Sequence, residues 1–131
     1  MGDCIMAFWG APLEDEDQVE NATKALLEMK EELEKLNDTL TEEGLDKINT
    51  GAGINTGIAV VGNFGSSNRF DYSVLGDSVN LSARLESLCK EYDVGMIVSE
   101  YSLVEGYSYK FLDEVIVKGK SEPVKIYTIE K

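Results

Sequence analysis

The sequence predicts an α+β sandwich in which helices pack on a largely antiparallel sheet. Three observations lead there: two stretches with apolar residues at three- and four-residue steps, several short stretches of period-two alternation, and turn residues that join neighbouring strands as hairpins more than by long crossovers. At 131 residues the chain can bury one core but not two, so residues 1–131 are expected to form one domain. No internal repeat or low-complexity tract interrupts it.

The apolar run at residues 4–9 ends in Gly10, Ala11 and Pro12 and reads as a buried strand followed by a breaker. From Glu14 the period changes. Val19, Ala22, Leu26, Met29, Leu33 and Leu36 form one apolar helical stripe, and Glu14, Asp15, Glu16 and Asp17 suit the positive end of that helix's dipole. Residues 37–50 are polar with scattered leucines and read as a connection. In residues 52–64, rich in Gly, Ile and Val, the alternation of Ile54, Thr56 and Ile58 predicts a strand, with bends or bulges at Gly57 and Gly62. After a turn at residues 65–68, Phe70, Tyr72 and Val74 alternate with Arg69, Asp71 and Ser73, so the two strands pair as a hairpin. A second helix follows at once, capped by Asp77 or Ser78, with Leu81, Leu85 and Leu88 as its core stripe and an end near Tyr92. Residues 94–98 read as a short buried strand and 99–106 as a loop or short helix leading into Tyr107, Tyr109 and Phe111. The segments 115–117 and 124–129 close the chain as a hairpin around a turn at 118–123.

Composition narrows the chemistry. Histidine is absent, which excludes histidine bases, Ser/His/Asp triads and histidine metal sites and leaves carboxylates, hydroxyls, Asn, Arg and Lys. With 12 basic and 25 acidic side chains the net charge is -13, a field that repels nucleic acid and anionic membrane surfaces, so neither is expected as a partner. A bound polyphosphate would need a divalent cation or local basic groups. No apolar run approaches the ~20 residues of a membrane span, and the start lacks a secretory pattern, so this segment is expected to make no membrane contact. Cys4 and Cys89 show neither metal-ligand spacing nor a disulfide framework and read as reduced thiols in a cytoplasmic setting.

Three places carry candidate chemistry. Asp3, at the mouth of the first apolar run, is either a turn carboxylate or a hard-metal ligand. Asn80 and Arg84 stand four apart near the amino end of the second helix and share one face, beside the leucine stripe. An amide and a guanidinium at a positive helix terminus can grip ribose and phosphate; equally, they can be a solvated face with Arg84 paired to a nearby Glu. Lys118 and Lys120 flank Gly119 on the last turn, either as a solvated tip or as point charges for terminal phosphates.

Taken together, GDCIMAFWGAP (2–12), GNFGSSNRFDYSVLGDSVNLSARLE (62–86) and VIVKGKSEPVKIYTI (115–129) resemble, in order and spacing, the class III adenylate/guanylate cyclases, especially bacterial ones. The resemblance spans nearly the whole chain. It implies a ferredoxin-like palm sandwich and the conversion of a nucleoside triphosphate to a 3′,5′-cyclic nucleotide and pyrophosphate. In that reaction two divalent ions, Mg2+ or Mn2+, activate the ribose 3′-hydroxyl for attack on the α-phosphate, at sites formed in a dimer interface. By motif, Asp3 resembles the second of two metal-binding aspartates. Asn80 resembles the residue that orients ribose and transition state, Arg84 the one that meets charge at the α-phosphate, and Lys118 the lysine that holds the outer phosphates. Ser73 falls at a base-reading position, and its hydroxyl matches the Thr type, which points to ATP with GTP the weaker candidate.

The family pattern also has an earlier strand with the first metal aspartate, two helices, and a second strand with a base-reading lysine, none of which precedes Gly2 in these residues. The resemblance therefore implies a carboxy-terminal portion of the catalytic domain, missing its first strand and helices and itself inactive. Open strand edges then predict a homodimer or a domain-swapped oligomer. The alternative is a non-catalytic cyclase-like module that binds nucleotide or a partner without turnover.

Overall fold

The computed structural model describes residues 4–11, 13–64, 71–116 and 122–130, with the backbone alone for residues 63, 64 and 71–75. Its elements are α1 (Gln18–Glu42), β1 (Gly53–Ile54), β2 (Val60–Phe64), β3 (Asp71–Leu75), α2 (Asp77–Tyr92), β4 (Ile97–Ser99), a 3-10 turn (Glu100–Ser102), β5 (Ser108–Ile116) and β6 (Pro123–Glu130). Four strands form one sheet in the order β1-β4-β6-β5, while β2 and β3 pair as a separate ribbon. Among the described strands only β1 and β4 run parallel, with Gly53 opposite Ile97; the other pairings are antiparallel. The expected α+β architecture with a largely antiparallel sheet is what is found.

Both faces of β4 are covered, and residues 96–98 accordingly read as an unbroken apolar run, whereas β6 alternates, with Val124 and Ile126 buried and Lys125 exposed. On one face Ile97, Val124 and Ile126 meet Leu81, Leu85 and Cys89 of α2. On the other, Met96 and Val98 join Ile54, and Leu26 and Leu27 of α1 pack against them. The closing segments pair antiparallel, but the first arm is longer than the expected 115–117, since β5 begins at Ser108. Residues 117–121 of the expected arm and turn lie outside the described residues. The register shifts between Phe111 and Asp113, and Tyr127 is edge-on to both Tyr109 and Phe111.

The α1 stripe is only partly buried. Ala22 and Thr23 are enclosed, but Met29 and Leu36 are half exposed. The helix residues that pack against the sheet's core cluster are Leu26 and Leu27, near its middle. The polar connection is tied to the second half of the helix instead. Asn37 Nδ2 donates to the Ile48 carbonyl (3.0 Å) while its Oδ1 accepts from the Ile48 N–H (2.7 Å). Lys30 Nζ donates to the Thr50 carbonyl at 2.7 Å. Its ammonium is partly buried there, and desolvation lowers its pKa.

Three local expectations are corrected. Residues 4–9 form no strand: Ile5 is 80% exposed, and among the described residues no ladder runs beside them to satisfy their backbone groups. Residues 52–64 are not one strand either, because β1 stops at Ile54 and the chain bends at Gly57 before β2; Gly62 pairs regularly with Ser73 and makes no bulge. The N-cap of α2 is Gly76 rather than Asp77 or Ser78. Gly76 has φ 141° and ψ 175°, a conformation essentially restricted to glycine, and it turns β3 straight into the helix.

Candidate active site

The site is organised by α2. Leu81, Leu85 and Cys89 are 1%, 0% and 3% exposed, so the helix is pinned along one stripe and cannot rotate without emptying the core. That stripe fixes the opposite register, and Asn80 and Arg84 are both exposed. Neither side chain hydrogen-bonds within the described residues, and the ion pairs among those residues, Lys24 with Glu20 and Lys35 with Glu32, both lie on α1. The alternative in which Arg84 is paired to a Glu on the helix surface is therefore not realised among the described residues.

The strand that carries Ser73 feeds directly into this helix. Ser73 lies in β3 opposite Gly62, three residues before Gly76. Its side chain, and all of Asp3 and Lys118, lie outside what is described. The structure thus brings Asn80 and Arg84 together and sets Ser73's strand at their end, while leaving the expected metal and outer-phosphate residues unplaced.

Beside the first turn of α2 lies an open cleft of about 500 Å3, lined by Asn55, Thr56, Ile58, Asp77, Ser78 and Tyr101. Its floor is a polar network that sequence reasoning missed. Asn55 Nδ2 donates to the Ser78 carbonyl (2.9 Å), and Asn55 Oδ1 accepts from Ser99 Oγ (2.6 Å). Ser102 Oγ lies 3.5 Å from Ser99 Oγ and 2.8 Å from Thr56 Oγ1. Ser78 Oγ donates to the Ile58 carbonyl at 2.6 Å. The available signal was a carboxamide inside an otherwise apolar, glycine-rich segment, where a polar group needs partners to be buried.

Among the described residues no three His, Cys, Asp or Glu side chains converge as a metal cage. Asp3, the residue expected to ligate a divalent ion, lies outside the described residues. Of the thiols, Cys4 is exposed and Cys89 is buried. Burial raises the Cys89 pKa, and its Sγ donates to the Ala52 carbonyl at 3.4 Å, as suits an unreactive core thiol.

Comparison with known proteins identifies the class. The family model of the adenylate and guanylate cyclase catalytic domain matches residues 1–131, and the chain belongs to that family. Among curated relatives it is 36% identical over 136 residues to the terminal-differentiation-specific adenylate cyclase of Dictyostelium discoideum, covering 98% of this chain and 6% of that protein. It is 34% identical to adenylate cyclase 1 of Rhizobium meliloti, with 98% of this chain and 20% of the relative covered. The chain thus spans a small part of the curated relatives it matches. Among solved structures, the adenylyl cyclase CyaB from P. aeruginosa superposes with a TM-score of 0.87 at 33% identity, covering 100% of this chain and 69% of that one. The guanylyl cyclase Cya2 superposes with a TM-score of 0.80 at 35% identity, covering 92% of this chain and 61% of that one. Among the described residues no helix is long and apolar enough to cross a membrane.

Proposed function

We propose that residues 1–131 are the carboxy-terminal portion of an adenylate cyclase catalytic domain that converts ATP to 3′,5′-cyclic AMP and pyrophosphate. The observation that carries this reading is the Asn80 and Arg84 pair, held exposed on a helix whose register is fixed by its buried stripe. Asn80 orients the ribose, and Arg84 meets the charge that develops at the α-phosphate. Ser73 reads the base and Lys118 holds the outer phosphates. Mg2+ or Mn2+ belongs to the reading through the family resemblance, where it activates the 3′-hydroxyl, and Asp3 is the residue of this chain that would ligate it. A cytoplasmic setting belongs to the same reading.

These residues carry one aspartate matching the family's metal-binding pair and no match to its base-reading lysine. Purified residues 1–131 are accordingly expected to make little or no cyclic AMP. A chimera in which the amino-terminal portion of the P. aeruginosa adenylyl cyclase chain precedes residue 1 supplies the missing groups. With ATP and Mn2+ it is expected to produce cyclic AMP, with a higher kcat/KM for ATP than for GTP, and to lose most of that activity, by about 10²–10³, on Asn80→Ala. A folded chimera that binds ATP yet makes no cyclic nucleotide would instead favour a non-catalytic module that binds nucleotide or a partner.

Self-association belongs to the proposal as well. Among the described strands β1 pairs only with β4, leaving its other edge open, and Ile5, Ile58 and Val60 present apolar surface at 80%, 95% and 62% exposure. Light scattering across a concentration series is expected to show a dimer or a larger swapped species. A compact monomer at high concentration would rule this out.

A further inference from the structure

We propose that Asn55 is the positioning residue that ties the first turn of α2, and with it Asn80, to the sheet. The inference rests on the cyclase reading for its functional meaning but on geometry for its substance. Because Gly76 caps α2, no side chain among the described residues anchors the helix's first amides, and the Val79 and Asn80 N–H groups both turn back to the Gly76 carbonyl at 3.1 Å. The anchor comes two residues later, at Ser78. Its carbonyl accepts from Asn55 and its hydroxyl donates to the Ile58 carbonyl, so both of these polar groups bind the 55–58 segment.

The far end of the Asn55 carboxamide is equally fixed. Ser99 and Ser102 are 0% exposed, and no buried side-chain polar atom among the described residues is left unsatisfied. Since Asn55 Nδ2 donates to Ser78, its Oδ1 must accept, which commits the Ser99 proton to Asn55. Ser102 is then the donor in its contact with Ser99, and Thr56 the donor to Ser102. The hydroxyls align in one direction, from Thr56 through Ser102 and Ser99 to Asn55 and the α2 backbone, and each bond polarises the next. A carboxamide both accepts from Ser99 and donates to Ser78, which an ionised carboxylate or an alkyl side chain cannot do. Aspartate keeps the first contact, loses the second, and sets a carboxylate against a carbonyl.

Amide hydrogen exchange on the 131-residue chain tests the geometry. In Asn55→Ala and Asn55→Asp, exchange at Val79, Asn80 and Leu81 is expected to rise by roughly five- to tenfold, the worth of one net hydrogen bond, while Ile97 and Ile126 keep their protection. Ser99→Ala, a smaller change at the other end of the carboxamide, is expected to give the same local pattern more weakly. A uniform rise at all sites, or no change in the first turn of α2, overturns the proposal. In the active chimera, Asn55→Asp is expected to lower kcat with little change in KM, and the double variant with Asn80→Ala to be no worse than Asn80→Ala alone. Full additivity would overturn the link to Asn80. If the chimera itself makes no cyclic AMP, the cyclase reading fails, and the exchange pattern alone decides the positioning role.

Discussion

Arg84→Ala, made in the active chimera, is expected to lower kcat by about 10²–10³ while leaving the KM for ATP nearly unchanged. In the cyclase reading the guanidinium meets charge that grows only as the bond to the attacking oxygen forms, so its removal is felt in the transition state and not in the ground state. The fold does not depend on this side chain. It is exposed and forms no ion pair among the described residues, so the urea midpoint of the variant is expected to stay at the parent's value. Lys118→Ala supplies the contrast. The outer phosphates carry their charge throughout the reaction, so this change is expected to raise KM more than it lowers kcat. Steady-state kinetics with ATP and Mn2+ separates the two: a change in KM alone for both variants would reduce Arg84 to a substrate anchor, and no effect from either would remove the family assignment at both residues.

The second large effect is on stability. Gly53→Val is expected to destabilise the chain by about 3 kcal/mol or more, because β1 passes against the backbone of α2 with no room for a side chain. A Cβ at Gly53 would overlap the Ser82 carbonyl oxygen and lie 2.7 Å from the Glu86 nitrogen and 2.9 Å from Leu85 Cβ. Two of those three neighbours are helix backbone, which cannot turn aside as a flexible side chain can. The helix must move outward, and its buried leucines with it. Gly62→Ala is the matched control: a Cβ there meets nothing within 4 Å among the described residues, and the change is expected to be close to neutral. Urea midpoints of the two variants give the comparison. Equal midpoints would mean that α2 does not rest on β1 as closely as described.

How much of the molecule was legible in the sequence can be judged from particular elements. The span of α2, from Asp77 to Tyr92, follows from its leucine spacing, and the hairpins β2–β3 and β5–β6 follow from alternation and turn residues. The Asn80 and Arg84 pair was legible for the same reason, since a four-residue step on a helix puts two side chains on one face whatever lies around it. Less accessible were the ends and interruptions. An apolar run such as residues 4–9 has the composition of a strand, but pairing needs a neighbour, and composition does not provide one. The cap of α2 was misplaced because Asp77 and Ser78 have capping chemistry, whereas the turn needed the backbone freedom of Gly76.

Sequence by itself determined the period of each helix and strand, the absence of histidine chemistry, the acidic surface and the face that Asn80 shares with Arg84. These are properties of composition and of short-range repeats, which a chain carries before it folds. Tertiary structure alone decided that Asn55 joins α2 to β4, that Gly53 lies against Ser82 and Leu85, and that α1 and α2 cover opposite faces of one sheet. The reason is distance along the chain: the partners of Asn55 lie 23 and 44 residues away, and which side chain meets a buried carboxamide across such separations is settled only when the packed helices and strands bring those segments together.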